Sequence, residues 1–578
     1  MDLRILLILS LFGTIIPPGS TDGPKGWFRR AQEHHREKIC GGPKTPQAAA
    51  NPLLVETENG KVSGVQGVSR GGKEFVQFLG IPFGQPPVGK LRFESPKPFG
   101  KWDGVLNATK YGPACAQYDF FVARKSIGVE DCLHLNVLTP LNRSDDKLLP
   151  VFVYIHGGAF HIGASHDYKG DYFMDHNIVF VSLNYRLGAL GFLNTNDGLI
   201  RGNMGMKDQV LGLQWIQKNI RQFGGDPDLV TISGTSAGAI SVNHHLFSPK
   251  SKGLFSKAVI MSGNNLTPYG IMRSPKESAD RFISKVNCNA GSRADEVTCL
   301  KNLDTSQLLA GHGDIVIPLP PPFELFFSVS KETVQDDDTF IAEDPLETIK
   351  SGNFSKVPVI MGIAEFELQA LTALYSGFPT ESARARDNFN DWAPEKLDYQ
   401  KDDKISDEIK QFYYHGNTTD VTAGDKARQT SILFTDRMFI TGLDKFAKLY
   451  SAHAPVFLYI NAWNPEPNMA LANLMSTSHK NWTGNSHGDD VILLFEQAHA
   501  KLDKGSRIYK LSQDLVELWT QFCNEEWMNF RGVPWWQNNP MGKNVTFLKI
   551  DDIPALVQDP FKERMDFWES IEQKIKSP

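Results

Sequence analysis

The sequence predicts an α/β protein built on one large, mainly parallel sheet covered by helices. Three observations predict it. Compact runs that are apolar at every position recur along the chain, each ended by turn residues. Helix-length patterns fill the gaps between them. No internal repeat and no long low-complexity stretch interrupts that alternation over 578 residues. A strand covered on both faces has no polar side, so an unbroken apolar run marks a sheet with helices packed above and below.

Taken in order, the chain opens with Arg4, an apolar run from Ile5 to Ile16, and the breaker Pro17-Pro18-Gly19-Ser20. The run is too short to span a bilayer comfortably and has the layout of an export signal, so residues 1–20 are read as a signal peptide. Residues 21–51 are polar, with Arg29, Arg30, His34, His35, Arg36 and Lys38 close together. They are read as a flexible, solvated extension ahead of the fold. A single domain is expected over 52–570, followed by a short tail, 571–578. The tail carries neither a lipid-anchor nor a retention signal, so the expectation is a secreted protein without a membrane anchor.

The folded region begins with short alternating segments such as Lys61 to Val65. Buried strands are then predicted at Val151–Ile155, Ile178–Leu183, Leu229–Ile232, Ala258–Met261, Val359–Met361 and Val456–Ile460. Helical periodicity covers Lys207 to Phe223, Asp436 to Ser451 and Leu511 to Phe530.

Two of these strands end in residues that carry chemistry. The strand at Leu229 runs into Gly234-Thr235-Ser236-Ala237-Gly238, and Ala239 to Phe247 can start a helix. This is G-x-S-x-G in the strand–turn–helix setting that a nucleophilic serine requires. A serine held on so tight a turn needs small residues two before and two after it, where strand and helix approach. Upstream, Val151–Ile155 ends in His156-Gly157-Gly158-Ala159-Phe160. Acyl transfer needs backbone N–H donors aimed at the developing alkoxide, and losing one typically costs ~3 kcal/mol. The N–H groups of Gly158, Ala159 and Ala237 are the expected donors.

With these two segments the chain resembles the type-B carboxylesterase/lipase family, which includes the cholinesterases. The resemblance runs from about Leu53 into the C-terminal helices. It is carried by Gly80-Ile81-Pro82-Phe83 through Leu91-Arg92-Phe93, Glu130-Asp131-Cys132-Leu133, Asn184-Tyr185-Arg186-Leu187-Gly188, Gly202 to Gln209, and Phe223-Gly224-Gly225-Asp226-Pro227. In overall look the chain is most similar to secreted insect-type esterases. The resemblance implies the α/β-hydrolase fold and a triad in the order serine, acid, histidine. The family's acid lies five residues after a glycine, which from Gly362 falls on Glu367, although Leu368 stands where a glycine is usual. Glu365 is the alternative acid. His487, in Gly484-Asn485-Ser486-His487-Gly488-Asp489-Asp490, resembles the family's histidine loop. His487 is expected to deprotonate Ser236, with Glu367 orienting it.

The implied activity is hydrolysis of carboxylic esters through an acyl-enzyme, on small apolar esters. A catalytically inactive adhesion or binding protein is the reading from another class. Such relatives lack one or more triad residues, whereas Ser236, Glu367 and His487 are all present here. A juvenile-hormone-type esterase is a further alternative, and Thr235 argues against it because glutamine is usual there. The expected partner is a small-molecule ester. With a formal net charge of -6 and no basic surplus, no nucleic-acid partner is expected. No Cys/His ligand spacing or phosphate loop is visible, so neither metal nor cofactor is expected.

The cysteines and sequons fit an oxidising, exported route. Cys115 and Cys132 enclose a short loop, as do Cys288 and Cys299, and are paired that way. Cys40 and Cys523 are left over, with Cys523 read as a buried free thiol in a helix. Seven glycosylation candidates occur, at Asn107, Asn142, Asn265, Asn353, Asn417, Asn481 and Asn544.

Overall fold

In the computed structural model the apolar runs form the middle of an 11-stranded sheet. Its strands are β1 (Val65–Val68), β2 (Glu74–Pro82), β3 (His134–Pro140), β4 (Leu149–Ile155), β5 (Val179–Leu183), β6 (Gly225–Thr235), β7 (Lys257–Met261), β8 (Val359–Ala364), β9 (Val456–Asn461), β10 (Thr546–Ile550) and β11 (Ala555–Gln558). The spatial order is β11-β10-β9-β8-β7-β6-β4-β5-β3-β2-β1. Every pairing from β10 across to β5 is parallel, and the outer pairings are antiparallel. The structure describes residues 51–119, 125–143, 147–316, 327–375, 379–419, 424–476, 482–497, 500–524, 527–535 and 544–576. The expected signal peptide, all of the expected extension but Asn51, Cys40 and Asn481 lie outside the described residues.

Alternation along the buried strands explains why they read as continuously apolar. Val151, Val153 and Ile155 of β4 join one hydrophobic cluster with Val230 and Ile232 of β6 and Val456 and Leu458 of β9. Phe152 and Tyr154 join a second cluster on the opposite face, with Val259 and Met261 of β7 and Tyr459 of β9. Helices α1 (Met204–Asn219) and α2 (Ala237–Phe247) cover the first face. Farther along the chain lie helices α3 (Thr305–Val316), α4 (Gly424–Thr435), α5 (Thr441–Tyr450) and α6 (Arg507–Cys523). A π-helical turn, Asp436–Ile440, joins α4 to α5. No helix among the described residues is long and apolar enough to cross a membrane.

One helix boundary differs from the sequence reading. α6 stops at Cys523, and Asn529–Phe530 forms a short strand instead of the last helical turn. The final helix, α7 (Lys562–Lys576), continues past the expected domain boundary at 570. Met565, Trp568 and Ile571 recur at helical spacing and are buried in the first cluster, so the apolar face carries the helix onward.

Cys115–Cys132 and Cys288–Cys299 are disulfide-bonded. Cys523 is free and buried, its thiol pushed up to about 11 by burial. Asn107, Asn142, Asn353, Asn417 and Asn544 are exposed. Asn265 is a correction: it is 2% exposed, within the loop after β7. A glycan on its amide would have no path to solvent in the folded chain.

Candidate active site

Strand register assembles the site. Thr235 of β6 pairs with Met261 of β7, and Met261 with Gly362 of β8. The segments leaving these adjacent parallel strands at their carboxyl ends therefore emerge side by side, where open parallel sheets place their sites.

Ser236 follows β6 at once, and its φ of 61° is a conformation that a side-chain-bearing residue rarely adopts. Its N–H donates to the Met261 carbonyl at 2.9 Å, and α2 begins at the next residue. The flanking glycines are steric necessities. A Cβ on Gly234 would stand 2.5 Å from the Gly238 carbonyl, and one on Gly238 would stand 2.1 Å from the Ile155 carbonyl oxygen. Among buried neighbours from Val230 to Phe247, Ser236 is partly open to solvent. The amino end of α2 adds positive partial charge beside it.

The glycine-rich segment after β4 closes on this turn. A Cβ placed on Gly157 would lie 3.1 Å from Ser236 Cβ. Gly158, Ala159 and Phe160 all have positive φ, at 108°, 56° and 64°. The Gly158 carbonyl accepts from the N–H groups of His161 and Ile162 at 2.9 and 3.0 Å. Gly158 and Ala159 thus lie in a tight turn beside Ser236, and the Ala237 N–H opens α2.

Glu367 is fully buried three residues past β8. Its Oε1 accepts from the Ala364 N–H at 2.9 Å, and its Oε2 lies 2.7 Å from His487 Nδ1. Glu365 is only half-buried. Burial raises its pKa, opposed by Lys549 and Arg428. The two glutamates are therefore held differently, and Glu367 is the one bonded to the imidazole.

Asp489 and Ser486, to which sequence reading gave no role, fasten the histidine loop. Asp489 Oδ2 accepts from the Ser486 N–H at 2.7 Å, and Oδ1 accepts from the Leu471 N–H at 2.9 Å. The Ser486 hydroxyl accepts from the Ala370 N–H at 2.9 Å. The Phe439 ring, on the π-helical turn, stands 5.3 Å from the His487 ring and 5.6 Å from that of Tyr269. Thr235 Oγ1 accepts from the Tyr154 hydroxyl at 3.2 Å. Only the irregular turn could have flagged Phe439, since π-turns recur at functional sites, and it has no sequence signature.

Burial opposes a charge on His487. The hydrogen bond and charge of Glu367, with Asp490 and Asp489 nearby, outweigh it and hold the imidazole pKa above its ordinary value. Burial raises Asp490 to about 7, and Glu367 reinforces that shift. Among the described residues no three His, Cys, Asp or Glu side chains converge as a metal-binding group.

Residues 51–568 match the model of the carboxylesterase family. The chain belongs to this family. It is therefore a carboxylic ester hydrolase with the α/β-hydrolase fold. A protein named carboxylic ester hydrolase from Bombus ignitus is 30% identical, covering 90% of this chain and 94% of its own length. Venom carboxylesterase-6 from Apis mellifera is 30% identical, over 89% of this chain and 94% of that protein. Juvenile hormone esterase from Tribolium castaneum is 34% identical, over 81% and 83% respectively.

Proposed function

We propose that this carboxylesterase is an exported serine hydrolase acting on small, uncharged esters through an acyl-enzyme. The observation that carries the reading is the Glu367–His487 bond, at 2.7 Å, formed at the sheet end where Ser236 stands on its strained turn. His487 Nε2 takes the Ser236 proton as Oγ attacks the ester carbonyl carbon. Glu367 stabilises the imidazolium through Nδ1. The negative charge on the carbonyl oxygen is met by the N–H groups of Gly158, Ala159 and Ala237. Collapse expels the alcohol, protonated by His487. Water activated by the same imidazole then releases the acid.

Export is supported by the layout of residues 1–20, the two disulfides and the five exposed sequons. The juvenile hormone esterase relative favours a second substrate reading, juvenile hormone, and Thr235 weighs against it.

A fluorophosphonate probe tests the mechanism. It is expected to add one phosphonyl group, mapped by mass spectrometry to Ser236. Ser236→Ala should abolish labelling and cut nitrophenyl ester turnover by about 10³-fold or more, with unchanged melting. Turnover within tenfold of the parent would overturn the assignment.

A further inference from the structure

The loop that carries Gly158 and Ala159 has a cost built into it. Ala159 and Phe160 are consecutive side-chain-bearing residues in the left-handed region, each disfavoured by about 1–2 kcal/mol. Such backbone persists only where its surroundings over-determine it. The two turn bonds to the Gly158 carbonyl act within the loop and cannot aim it at Ser236. Contacts from elsewhere must do that.

Several exist. The Gly163 N–H donates to Gln117 Oε1 at 2.8 Å, and Phe160 packs on Phe192. Two others converge on one turn. The Gly188 N–H donates to the Phe160 carbonyl at 2.7 Å. His161 Nδ1 lies 2.7 Å from His312 Nε2 of α3. The two imidazoles are each 3% exposed, and both meet the Phe327 ring edge-on. His312 also rests on the Gly188 turn, where an added Cβ would come within 2.2 Å of its Cε1. One side chain from a separate helix thus braces both the loop and the turn that tethers it.

The pair is chemically simple. One ring supplies an N–H and the other a lone pair. Burial pushes both pKa values down, His312 to about 4, so both rings are neutral where ester hydrolysis is assayed. A buried neutral bond of this kind fixes position without adding charge.

We propose that His161 and His312 are positioning residues for ester hydrolysis, their bond holding the Gly158–Ala159 N–H groups on the developing oxyanion. This rests on the reading of Gly158 and Ala159 as oxyanion donors. A loop loosened here loses transition-state stabilisation more than substrate binding, which is the signature of a donor that acts on the oxyanion.

The test uses the full-length chain. His312→Leu leaves His161 Nδ1 buried and unpaired, which destabilises the fold. The double variant His161→Leu/His312→Leu removes both partners, and such paired removal is often nearly neutral for stability. His312→Gln places an amide where Nε2 lies and keeps the bond. Readouts are kcat and KM on a nitrophenyl ester, melting temperature, and affinity for a trifluoromethyl ketone, whose adduct with the serine carries the oxyanion. In the double variant kcat and ketone affinity are each expected to fall by about tenfold or more, with KM changed less than about twofold and melting near that of the parent. His312→Gln should recover most of the loss. Parent-like kcat and ketone affinity in the double variant would overturn the proposal. So would a His312→Gln as impaired as His312→Leu at unchanged melting temperature. Failure of the underlying donor reading appears in the parent itself, as a trifluoromethyl ketone bound no more tightly than the matching methyl ketone, and it takes the proposal with it.

Discussion

Glu367 and His487 are joined twice. The His487 ring Nδ1 lies 2.7 Å from Glu367 Oε2, and the His487 backbone N–H donates to the Glu367 carbonyl at 2.9 Å. The second bond docks the histidine loop on the segment after β8, so the ring cannot move without carrying its loop. A carboxylate in this place fixes both the tautomer and the ring plane of the imidazole.

Glu367→Gln is therefore expected to reduce kcat by about 10³–10⁴-fold, because a neutral amide stabilises no imidazolium and can favour the wrong tautomer. Glu365→Gln should change kcat less than about threefold, since the bond to His487 belongs to Glu367. Turnover of a nitrophenyl ester by the two variants decides it. The reverse ranking would move the acid role to Glu365.

The pH profile follows from the raised pKa of His487. A general base must be neutral, so kcat/KM falls as pH drops through that pKa. The Glu367 bond and charge hold it up, so the acid limb should have its midpoint above about 6.5, the ordinary histidine value. Removing the carboxylate removes the largest favourable influence on the cation, and the residual activity of Glu367→Gln should have its acid limb at lower pH. A midpoint that stays in place in the variant would show that Glu367 does not set it.

How much of this could be read beforehand depends on whether the cause is local. The elbow is legible because its constraint acts over five residues: Gly234 and Gly238 must be small for strand and helix to meet at Ser236. The central strands are legible because burial on both faces leaves them no polar position. Glu365 and Glu367 look alike in sequence. They separate only where Glu367 turns back on the Ala364 N–H and reaches His487. The His161–His312 bond joins residues 151 apart, and Phe439 faces His487 through an irregular turn. Neither leaves a periodic trace. The mistaken end of α6 has a local reason: its apolar pattern runs on after the backbone has left the helix.

The elbow glycines carry a stability prediction. Gly238→Ala places a methyl 2.1 Å from the Ile155 carbonyl oxygen, backbone of a central strand that cannot yield. Overpacking of this kind costs about 1–3 kcal/mol or more, and any relief must move Ser236. Lower melting and reduced kcat are expected together. Gly291→Ala, with nothing within 4 Å of the added carbon, is the control and should leave both near the parent. A Gly238→Ala protein with parent melting and parent kcat would refute the packing account.

The last prediction concerns substrate charge: uncharged esters with apolar acyl groups should be preferred over choline esters. In the cholinesterases, which this chain resembles, a tryptophan in the first disulfide loop offers its ring to the quaternary ammonium. That contact is worth roughly 2 kcal/mol when desolvated, about thirtyfold in rate if it acts in the transition state. The loop between Cys115 and Cys132 contains no tryptophan. Tyr118 is committed elsewhere, because a Cβ added to Gly313 of α3 would lie 2.8 Å from its ring. Lys125 of the same loop is exposed and positively charged; Phe120, Phe121 and Arg124 lie outside the described residues. Beside Ser236 stands Thr235, neutral, buried and bonded to the Tyr154 hydroxyl, which offers a cation no charge. The kcat/KM for a short-chain naphthyl or nitrophenyl ester should therefore exceed that for acetylthiocholine by about tenfold or more. Equal efficiency on the two would mean that another group in the site receives the ammonium, and the prediction would fail.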